Sequence, residues 1–405
     1  MRLAYGTMPP LLSIDEALTL VLEHSIPVDA ELVPIERAAR RVLAEDVHAL
    51  VDLPPFRSSA MDGFAVRVAE TPGRLPVVAR IPAGHPSDRP LGLGEAMGIA
   101  TGGSVPDGAD GVVPLEHVED DGDAITIHRL VAYQDNIRPI GSDVHAGDLL
   151  LFAGSSLGPA QIGALAAVGV GSVRCGRRPR VAILSTGSEL RRPGETLDPG
   201  QIYESNAPMI AAALETAGAE VTRLEAVADE AGAHRAALLR GLEADVLVSS
   251  GGVSVGPHDL VRSIGAELGV EEVFWGVAVK PGKPVAFGVR ERTLVFGLPG
   301  NPVSALVAVE LFVLPAVRAL QGAADPAPVY ASGLLSAPLR ANPARDQLVR
   351  ARSRIEDGVT VLEPLSGQES HMIARAAGAD TLVLVRRGER DPVPGDRLPY
   401  LRLGY

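Results

Sequence analysis

The sequence of 405 residues contains a single cysteine, Cys175, and few aromatic residues. One cysteine excludes an intramolecular disulfide and any zinc or iron–sulfur site that is built from cysteine ligands. Aromatic residues make up 3% of the chain and hydrophobic residues 46%, so the cores must consist mainly of Ala, Val, Leu and Ile. The N-terminus lacks a basic stretch followed by an apolar one, so we expect no export signal and a cytoplasmic protein.

Basic residues are outnumbered by acidic ones, 37 to 50. The formal net charge of −13 repels phosphate backbones and anionic membranes, and few aromatic side chains remain to stack on bases. We therefore predict neither a nucleic acid nor a membrane as a partner. The longest apolar candidate, residues 157–173, contains Pro159 and Gln161 and is short for a membrane span, which indicates a buried helix. An anionic small molecule would need a local basic pocket and a bridging cation.

The sequence predicts two structural units in the first half of the chain. Ser13 and Glu16 have the spacing of a capping box, which predicts a helix that runs to about residue 23. Over residues 51–146 short apolar segments alternate with Gly, Pro and Asp, a pattern typical of a β-rich insertion. We assign residues 1–50 together with 147–178 to a helical and linker domain that flanks this insertion.

The second half has a different sequence pattern. Apolar runs at 181–184, 245–248 and 294–297 alternate with Ala- and Leu-rich helical segments. This alternation predicts a parallel sheet that is covered by helices on both faces, a three-layer α/β domain over residues 179–324. Short strands return over residues 325–405, which we assign to a small C-terminal β-barrel. The predicted fold class is therefore α/β plus β, in several domains.

A loop rich in small and polar residues follows each apolar run of the α/β domain. In parallel sheets ligands bind beyond the carboxyl ends of the strands, so we expect these loops to converge on one crevice. The first, residues 185–189, has small residues that let backbone N–H groups approach a phosphate, and Glu189 is placed to hold a shared metal ion. The alternative is a plain strand-to-helix turn with a helix cap.

The second loop, residues 249–256, has three glycines and three serines, and Asp259 follows. We interpret it as a phosphate cradle in which Asp259 faces a cation or a ribose hydroxyl; the alternative is a flexible connection. It is neither a P-loop nor a Rossmann fingerprint, because the Gly-Lys-Ser/Thr ending and the Gly-x-Gly-x-x-Gly spacing are both absent.

The third constellation is basic. Lys280 and Lys283 stand on a loop stiffened by Pro and Gly, and together they form a candidate oxyanion site in an acidic chain. Pro302, in the next loop, is expected at the first turn of a helix, leaving the N–H groups of Val303 and Ser304 free. The alternative is that the lysines are solvated and that the Pro-Gly pair is only a turn.

Taken together, these motifs resemble the molybdopterin molybdenumtransferase family, which includes bacterial MoeA proteins and the E domain of gephyrin. Departures from the family pattern are small: Gly103 replaces the usual alanine, and His258 stands where acidic or small residues are commoner. Seven stretches match in order and spacing, namely residues 59–65, 101–106, 136–143, 185–190, 250–256, 280–284 and 297–304.

The resemblance implies an activity and its site residues. The substrates would be adenylyl-molybdopterin and molybdate, the products molybdenum cofactor and AMP, and the cofactor Mg²⁺. The implied catalytic residues are Asp62, Asp143, Glu189 and Asp259, and the implied metal ligands are Glu189, Asp229 and Asp259. The implied substrate-binding residues are Thr101, Ser185, Thr186, Gly187, Ser250, Gly251, Gly252, Ser254, Lys280, Lys283, Pro299, Pro302, Ser304, Arg350 and Ser370. Lys280, Lys283, Ser304, Arg350 and Ser370 would hold the molybdate.

The resemblance also implies an elongated homodimer, with each crevice between the α/β domain of one subunit and the β insertion of the other. The adenylyltransferase that supplies the substrate is a candidate partner. Three alternatives remain at this point: that adenylyltransferase activity itself, a scaffold of the gephyrin E-domain kind, and a nicotinamide dehydrogenase. The extra β domains disfavour the adenylyltransferase, which is a single domain. The retained candidate catalytic residues disfavour a pure scaffold, and the missing Gly-x-Gly-x-x-Gly fingerprint disfavours a dehydrogenase.

Overall fold

A computed structural model describes residues 11–82, 84–225, 230–251 and 260–404. Within these ranges, three six-stranded sheets dominate the architecture. One belongs to the β insertion, one to the α/β domain and one to the C-terminal domain. The predicted fold class is confirmed.

Helix α1 (Ile14–His24) begins at the predicted capping box. The Glu16 N–H donates to Ser13 Oγ (3.1 Å), and the Ser13 N–H donates to the Glu16 carboxylate (2.7 Å). These bonds satisfy donors that the helix itself leaves unpaired. Its apolar face, with Ile14, Ala17 and Val21, packs into the core of the α/β domain. The first helix is thus attached to the α/β domain, although the sequence groups it with residues 30–50.

The chain enters and leaves the insertion side by side. Strand β1 pairs antiparallel with β12, and β2 with β11, around a core that includes Leu43, Leu165 and the buried Cys175. The elements of this half are β1 (Ala30–Pro34), β2 (Val47–His48), β3 (Ser58–Ser59), β4 (Gly63–Val66), β5 (Gly73–Ile81), β6 (Ala96–Ile99), β7 (Gly111–Pro114), β8 (Val118–Asp120), β9 (Ala124–Ile127), β10 (Ile137–Arg138), β11 (Leu149–Leu151), α2 (Pro159–Ala167) and β12 (Ser172–Gly176).

The insertion is β-rich, as predicted. Its sheet has the order β7-β4-β6-β5-β9-β8, and β3 pairs with β10 beside it. Every residue of β4, β6 and β7 is buried. Successive side chains of a strand point to opposite faces, so Phe64 and Ala65 fall into two separate apolar clusters. The sheet is therefore covered on both faces.

The α/β domain has a mixed sheet with the order β16-β13-β17-β21-β20-β18. The first four strands are parallel, as predicted. Strand β20 runs antiparallel to both of its neighbours, β21 and β18, so β18 has the same direction as the first four strands. A tight hairpin joins β20 to β21, and such a short connection permits only antiparallel pairing. The strands are β13 (Arg180–Ser185), β14 (Leu190–Arg191), β15 (Ile202–Tyr203), β16 (Glu220–Arg223), β17 (Val246–Ser250), β18 (Glu271–Trp275), β19 (Val279–Lys280), β20 (Ala286–Arg290) and β21 (Thr293–Leu298).

Helices cover both faces of this sheet. Val181 and Ile183 of β13 point to one face, whereas Ala182 and Leu184 point to the other, and each pair joins a different apolar cluster. The helices of the domain are α3 (Asn206–Thr216), α4 (Ala231–Gly241), α5 (Leu260–Glu267), α6 (Pro302–Ala308) and α7 (Leu314–Leu320), and a π-helical turn (Val309–Val313) joins α6 to α7.

The continuous helical stretch Pro302–Leu320 is long and apolar enough to cross a membrane by length and composition. It is nevertheless 94% buried inside the protein over its most apolar window, as a core helix of a globular domain would be. The sequence predicts a buried helix at residues 157–173 instead, and that prediction is wrong, because α2 covers only Pro159–Ala167 and buries only Leu165.

The C-terminal domain closes into a five-stranded barrel, which confirms the prediction. The order β23-β24-β22-β26-β25 returns to β23, because β23 pairs with β24 through one half and with β25 through the other. Strand β19 from the α/β domain adds to the β23 edge. The elements are β22 (Tyr330–Leu335), β23 (Asp346–Glu356), β24 (Val359–Pro364), α8 (Ile373–Ala376), β25 (Thr381–Val385) and β26 (Arg397–Arg402).

Candidate functional site

The predicted convergence of loops is present at one edge of the α/β sheet. Ser185 at the end of β13 is in register with Ser250 at the end of β17, and Ser250 with Leu298 at the end of β21. The Thr186 N–H donates to the Ser250 carbonyl (3.1 Å), and the Gly251 N–H donates to the Leu298 carbonyl (3.1 Å). The sheet ladder thus continues one residue into each loop and holds the three loops together.

Close packing explains two of the glycines. A Cβ atom at Gly251 would lie 2.8 Å from the Thr186 carbonyl oxygen, and the backbone there has a φ of +90°. A Cβ atom at Gly187 would lie 2.6 Å from a carboxylate oxygen of Glu189. The Glu189 carboxylate therefore folds back over the loop, and the φ of +149° at Gly187 is the feature that favours glycine there.

The loop after β13 is not the start of a helix. It leads into the short parallel pair of β14 and β15, and α3 begins only at Asn206. The alternative of a plain strand-to-helix turn with a cap is therefore wrong. The segment between β13 and α3 turns back on itself through this strand pair, so Glu189 near its start and Glu204 near its end line the same cleft.

Two residues of this cleft were missed in the sequence. Asn206, which is 8% exposed, donates from Nδ2 to Ser250 Oγ (2.7 Å) and to the Gly300 carbonyl (2.8 Å). Glu204 accepts from Ser185 Oγ (3.2 Å) and from the Ala207 N–H (2.8 Å). Together they tie the three loops to the start of α3. The only sequence signal was the polar triplet at 204–206 before an Ala-rich helix.

The three loops open into a cleft of about 710 Å³. Among its described lining residues are two carboxylates, Glu189 and Glu204, and no lysine or arginine. A phosphate in this cleft would meet negative charge unless a cation neutralised it. Carboxylate and phosphate oxygens are the ligands that Mg²⁺ prefers, so the residues present fit that ion. Within the described part of the chain, however, no three His, Cys, Asp or Glu residues are grouped as a complete metal site.

The two lysines lie beside α6 rather than in the cleft lining. Lys280 is exposed and Lys283 is half-buried, and neither ammonium has a hydrogen bond or ion pair with a described residue. The loop between them packs on α6, since a Cβ atom at Gly282 would lie 3.5 Å from the Ser304 carbonyl oxygen. The Ser304 side chain is buried at this contact.

These are also the only two lysines among 37 Lys and Arg residues. Every other basic position is arginine, yet both lysines stand on one five-residue loop. This distribution was overlooked in the sequence interpretation. It favours a local requirement for a compact ammonium over two incidental surface charges.

A loop of the barrel domain meets the same end of α6. Asn301 Nδ2 donates to Ser370 Oγ (3.0 Å), and the Val303 N–H donates to the Ser370 carbonyl (3.0 Å). Pro302 does occupy the first turn of α6, as predicted. The expectation that the Val303 N–H is free was wrong, because the barrel loop supplies its acceptor. Ser370 is thereby held near Ser304 and the lysine loop.

Arg350 is a residue of β23 that is 1% exposed, and the barrel loop of residues 365–372 surrounds its side chain. Its guanidinium donates to the carbonyls of Met372 (2.8 Å), Gly367 (2.7 Å) and Glu369 (3.2 Å). Burial lowers the pKa of Arg350. These contacts show a guanidinium that holds residues 367–372 in shape; the contact with molybdate that the family implies stays a prediction.

The residues implied on the insertion lie apart from the cleft lining. Asp62 is exposed, and its Oδ1 accepts from the Thr101 N–H (2.7 Å). Asp143 is exposed, and its N–H donates to the Leu53 carbonyl (2.9 Å). None of these residues lines the cleft of its own chain. Four implied residues, Gly252, Ser254, Asp229 and Asp259, lie outside the described residues.

Three family models match the chain in succession. The MoeA N-terminal region (domain I and II) matches residues 12–169, the probable molybdopterin binding domain matches residues 182–319, and the MoeA C-terminal region (domain IV) matches residues 332–403. Together these matches cover nearly the whole chain.

Individual relatives are similar over most of their length. The chain is 39% identical over 318 residues to the molybdopterin molybdenumtransferase of Haemophilus influenzae, covering 77% of this chain and 78% of that protein. It is 39% identical over 354 residues to molybdopterin molybdenumtransferase 2 of Mycobacterium tuberculosis, covering 84% and 87%. A solved molybdopterin biosynthesis MoeA protein from Pyrococcus horikosii has a TM-score of 0.79 and 31% identity, over 98% of this chain and 100% of that one.

Proposed function

The chain belongs to the molybdopterin molybdenumtransferase family, and from this premise we propose that it inserts molybdate into adenylyl-molybdopterin, releasing AMP and forming the molybdenum cofactor. The observation that carries the proposal is the junction at the start of α6. There the strand-end cleft, the two lysines and the barrel loop with Ser370 lie side by side. One substrate is a phosphoanhydride and the other an oxyanion, so adjacent sites of opposite character suit the reaction.

The cleft is proposed to hold the nucleotide end of the substrate. Small residues at 185–187 and 250–251 leave backbone groups within reach of phosphate oxygens. Mg²⁺ held by Glu189, together with Asp229 and Asp259, would neutralise the phosphoanhydride. Because phosphoryl chemistry depends mainly on positioning and charge neutralisation, no protein nucleophile is needed.

The α6 junction is proposed to hold molybdate. Molybdate is a dianion, and charge-assisted donors offset the cost of removing it from water. Lys280 and Lys283 supply charge without competing partners among the described residues, and Ser304 and Ser370 supply hydroxyls. Arg350 acts in this proposal chiefly by fixing the loop that presents Ser370.

The insertion is proposed to act on the crevice of a second subunit. Asp62, Thr101 and Asp143 are absent from the cleft lining of their own chain, and Asp62 and Asp143 are exposed. A homodimer that places one insertion over the cleft of its partner would bring these residues to the substrate. The same proposal places the enzyme in the cytoplasm, with the adenylyltransferase that makes its substrate as a transient partner.

A release assay tests the proposed reaction. Purified protein is incubated with adenylyl-molybdopterin, and AMP is quantified with molybdate and Mg²⁺ present, with either one omitted, and with excess chelator. We expect release only when both are present. A Glu189→Gln variant should lower the rate at every Mg²⁺ concentration, because it keeps the side-chain shape and removes the charge. Full turnover in chelator would exclude the carboxylate–metal assignment.

A further inference from the structure

A second cavity of about 720 Å³ lies where three parts of the chain meet. Its walls are formed by residues 152–156 of the first unit, by α3 and α7 with the π-helical turn, and by the end of β26. It shares no lining residue with the cleft at the strand ends. The cavity is therefore separate from the proposed catalytic site.

A buried carboxyl group faces this cavity. Glu310 is 9% exposed and has no hydrogen bond or ion pair with any described residue. Burial raises the pKa of Glu310 to about 7, although Arg318 opposes the shift. An unpaired carboxyl inside a protein costs free energy, and groups of this kind occur preferentially at functional sites. Glu310 also stands in a π-helical turn, a distortion that is frequent at such sites.

Three arginines line the same cavity. Arg40, Arg318 and Arg402 come from different parts of the fold, and none has a side-chain hydrogen bond or ion pair with a described residue. Elsewhere in the chain many arginines are paired with carboxylates, and acidic residues are in excess. Glu310 and Asp325 are the acidic residues of the same lining, so three guanidinium groups against two carboxyl groups leave a local excess of positive charge in an acidic protein.

We propose that this cavity is a second binding site, which takes a small organic phosphate. A guanidinium presents a planar fork of donors that matches phosphate oxygens. The organic part would contact Val42, Leu314 and Phe152, whose side chain is 66% exposed at the rim. The volume lies in the range of about 300–1,000 Å³ that is usual for ligand pockets.

The geometry also predicts how binding depends on pH. The titratable and charged side chains that face the cavity are Arg40, Glu310, Arg318, Asp325 and Arg402. An anion bound next to Glu310 favours the neutral carboxyl, so binding takes up a proton. Relative to Glu310→Gln, the dissociation constant of the wild type should therefore be about tenfold lower at pH 6 than at pH 8. The phosphate group titrates in this range as well, so the contribution of Glu310 is measured against Glu310→Gln.

Calorimetric titration of the full-length protein tests the proposal with three probes: AMP, ribose 5-phosphate and inorganic phosphate. Hydrogen exchange locates each binding event at residues 152–156 and 310–325, or at the strand-end cleft. We expect either organic phosphate to bind at the cavity at least about tenfold more tightly than inorganic phosphate. If AMP binds more tightly than ribose 5-phosphate, the ligand carries a base that contacts Phe152. If the two bind equally, the ligand is a sugar phosphate without a base; both results support the site.

Matched variants separate this site from the catalytic one. Arg318→Ala should weaken binding at the cavity by roughly tenfold to a hundredfold. Arg37→Ala, which removes an exposed arginine outside the cavity, should not. Glu310→Gln should keep binding and lose the extra pH dependence. The proposal is overturned if inorganic phosphate binds as tightly as both organic probes, if Arg318→Ala binds like the wild type, or if protection appears only at the strand-end cleft.

Discussion

Lys280 and Lys283 are the only two lysines of the chain, and every other Lys/Arg position is arginine. An ammonium is a compact point charge, whereas a guanidinium is a planar fork, so the two are not interchangeable around a tetrahedral oxyanion. The same fact provides a direct assay, because an amine-selective acylating reagent can label only these two side chains and the N-terminus. We expect molybdate to protect both side chains from acylation while leaving the N-terminus reactive.

Substitution of Lys283 extends this expectation to catalysis. Losing a charge-assisted contact typically costs about 1.5–3 kcal/mol, or roughly tenfold to a hundredfold in affinity. Lys283→Ala should raise the molybdate concentration for half-maximal AMP release by that factor and leave binding of adenylyl-molybdopterin nearly unchanged. Lys283→Arg, which keeps the charge, should restore only part of the affinity. Wild-type molybdate dependence in Lys283→Ala would show that the oxyanion site lies elsewhere. Asp259→Ala should show the opposite pattern, with slow turnover that extra molybdate does not restore.

Glu310 links the stability of the α/β domain to pH. Its folded-state pKa of about 7 lies above the ordinary value of 4.5. The native state therefore holds this proton more tightly than the unfolded state. The associated stability is fully present below pH 4.5 and is lost as the pH rises to about 7. Relative to Glu310→Gln, the wild type should lose about 3 kcal/mol over that interval. Urea-unfolding midpoints of both proteins at several pH values measure this difference. Parallel pH profiles would mean that Glu310 titrates normally.

The loop between β24 and α8 is an element whose shape depends on one buried side chain. Arg350 bonds three of its carbonyls, while Gln368 Nε2 donates to the carbonyls of Arg350 (2.9 Å) and Leu365 (2.8 Å). The loop in turn bonds α6 through Ser370. The planar guanidinium of arginine can donate to several carbonyls at once, whereas the ammonium of the shorter lysine side chain cannot reach all three.

Arg350→Lys should therefore loosen this loop without removing a charge. We expect faster amide exchange at residues 367–373, unchanged exchange in β25, and a roughly tenfold higher molybdate requirement, since each orphaned carbonyl costs about 1–3 kcal/mol. Arg352→Lys, at an exposed position two residues further along the same strand, is the matched control. If both variants show the same exchange and molybdate dependence, Arg350 does not position the loop.

For the whole molecule, the central question is whether one chain or two form the crevice. Asp62→Ala and Glu189→Ala should each be inactive alone, because they remove groups proposed to act on opposite sides of the crevice. After subunit exchange, mixed dimers contain one crevice that carries neither substitution. We expect recovery of up to about one half of wild-type AMP release per mixed dimer. Exchange is verified independently with differently tagged subunits. Absence of recovery despite complete exchange would place the site within a single chain.

Much of this protein is determined by the sequence at short range. The capping box at Ser13 and Glu16, the loops at the strand ends and the β-rich character of the insertion follow from local sequence patterns, and the structure confirms each of them. The motifs also identify the family, since seven matches in order are specific, and the family models confirm that assignment. Parallel pairing of β13, β17 and β21 follows from apolar runs separated by helices.

Only the tertiary structure decided what each isolated polar residue contacts. The family resemblance assigns Arg350 to the molybdate, but only the structure shows that its side chain is buried and bonds the carbonyls of a barrel loop. Asn206 joins two strand ends, and Glu310 faces a cavity between three parts of the chain, because residues far apart in sequence are packed against them. Local propensity governs caps, turns and strand alternation within a few residues. Burial, hydrogen-bond partners and pKa values depend on long-range contacts, which no local pattern encodes.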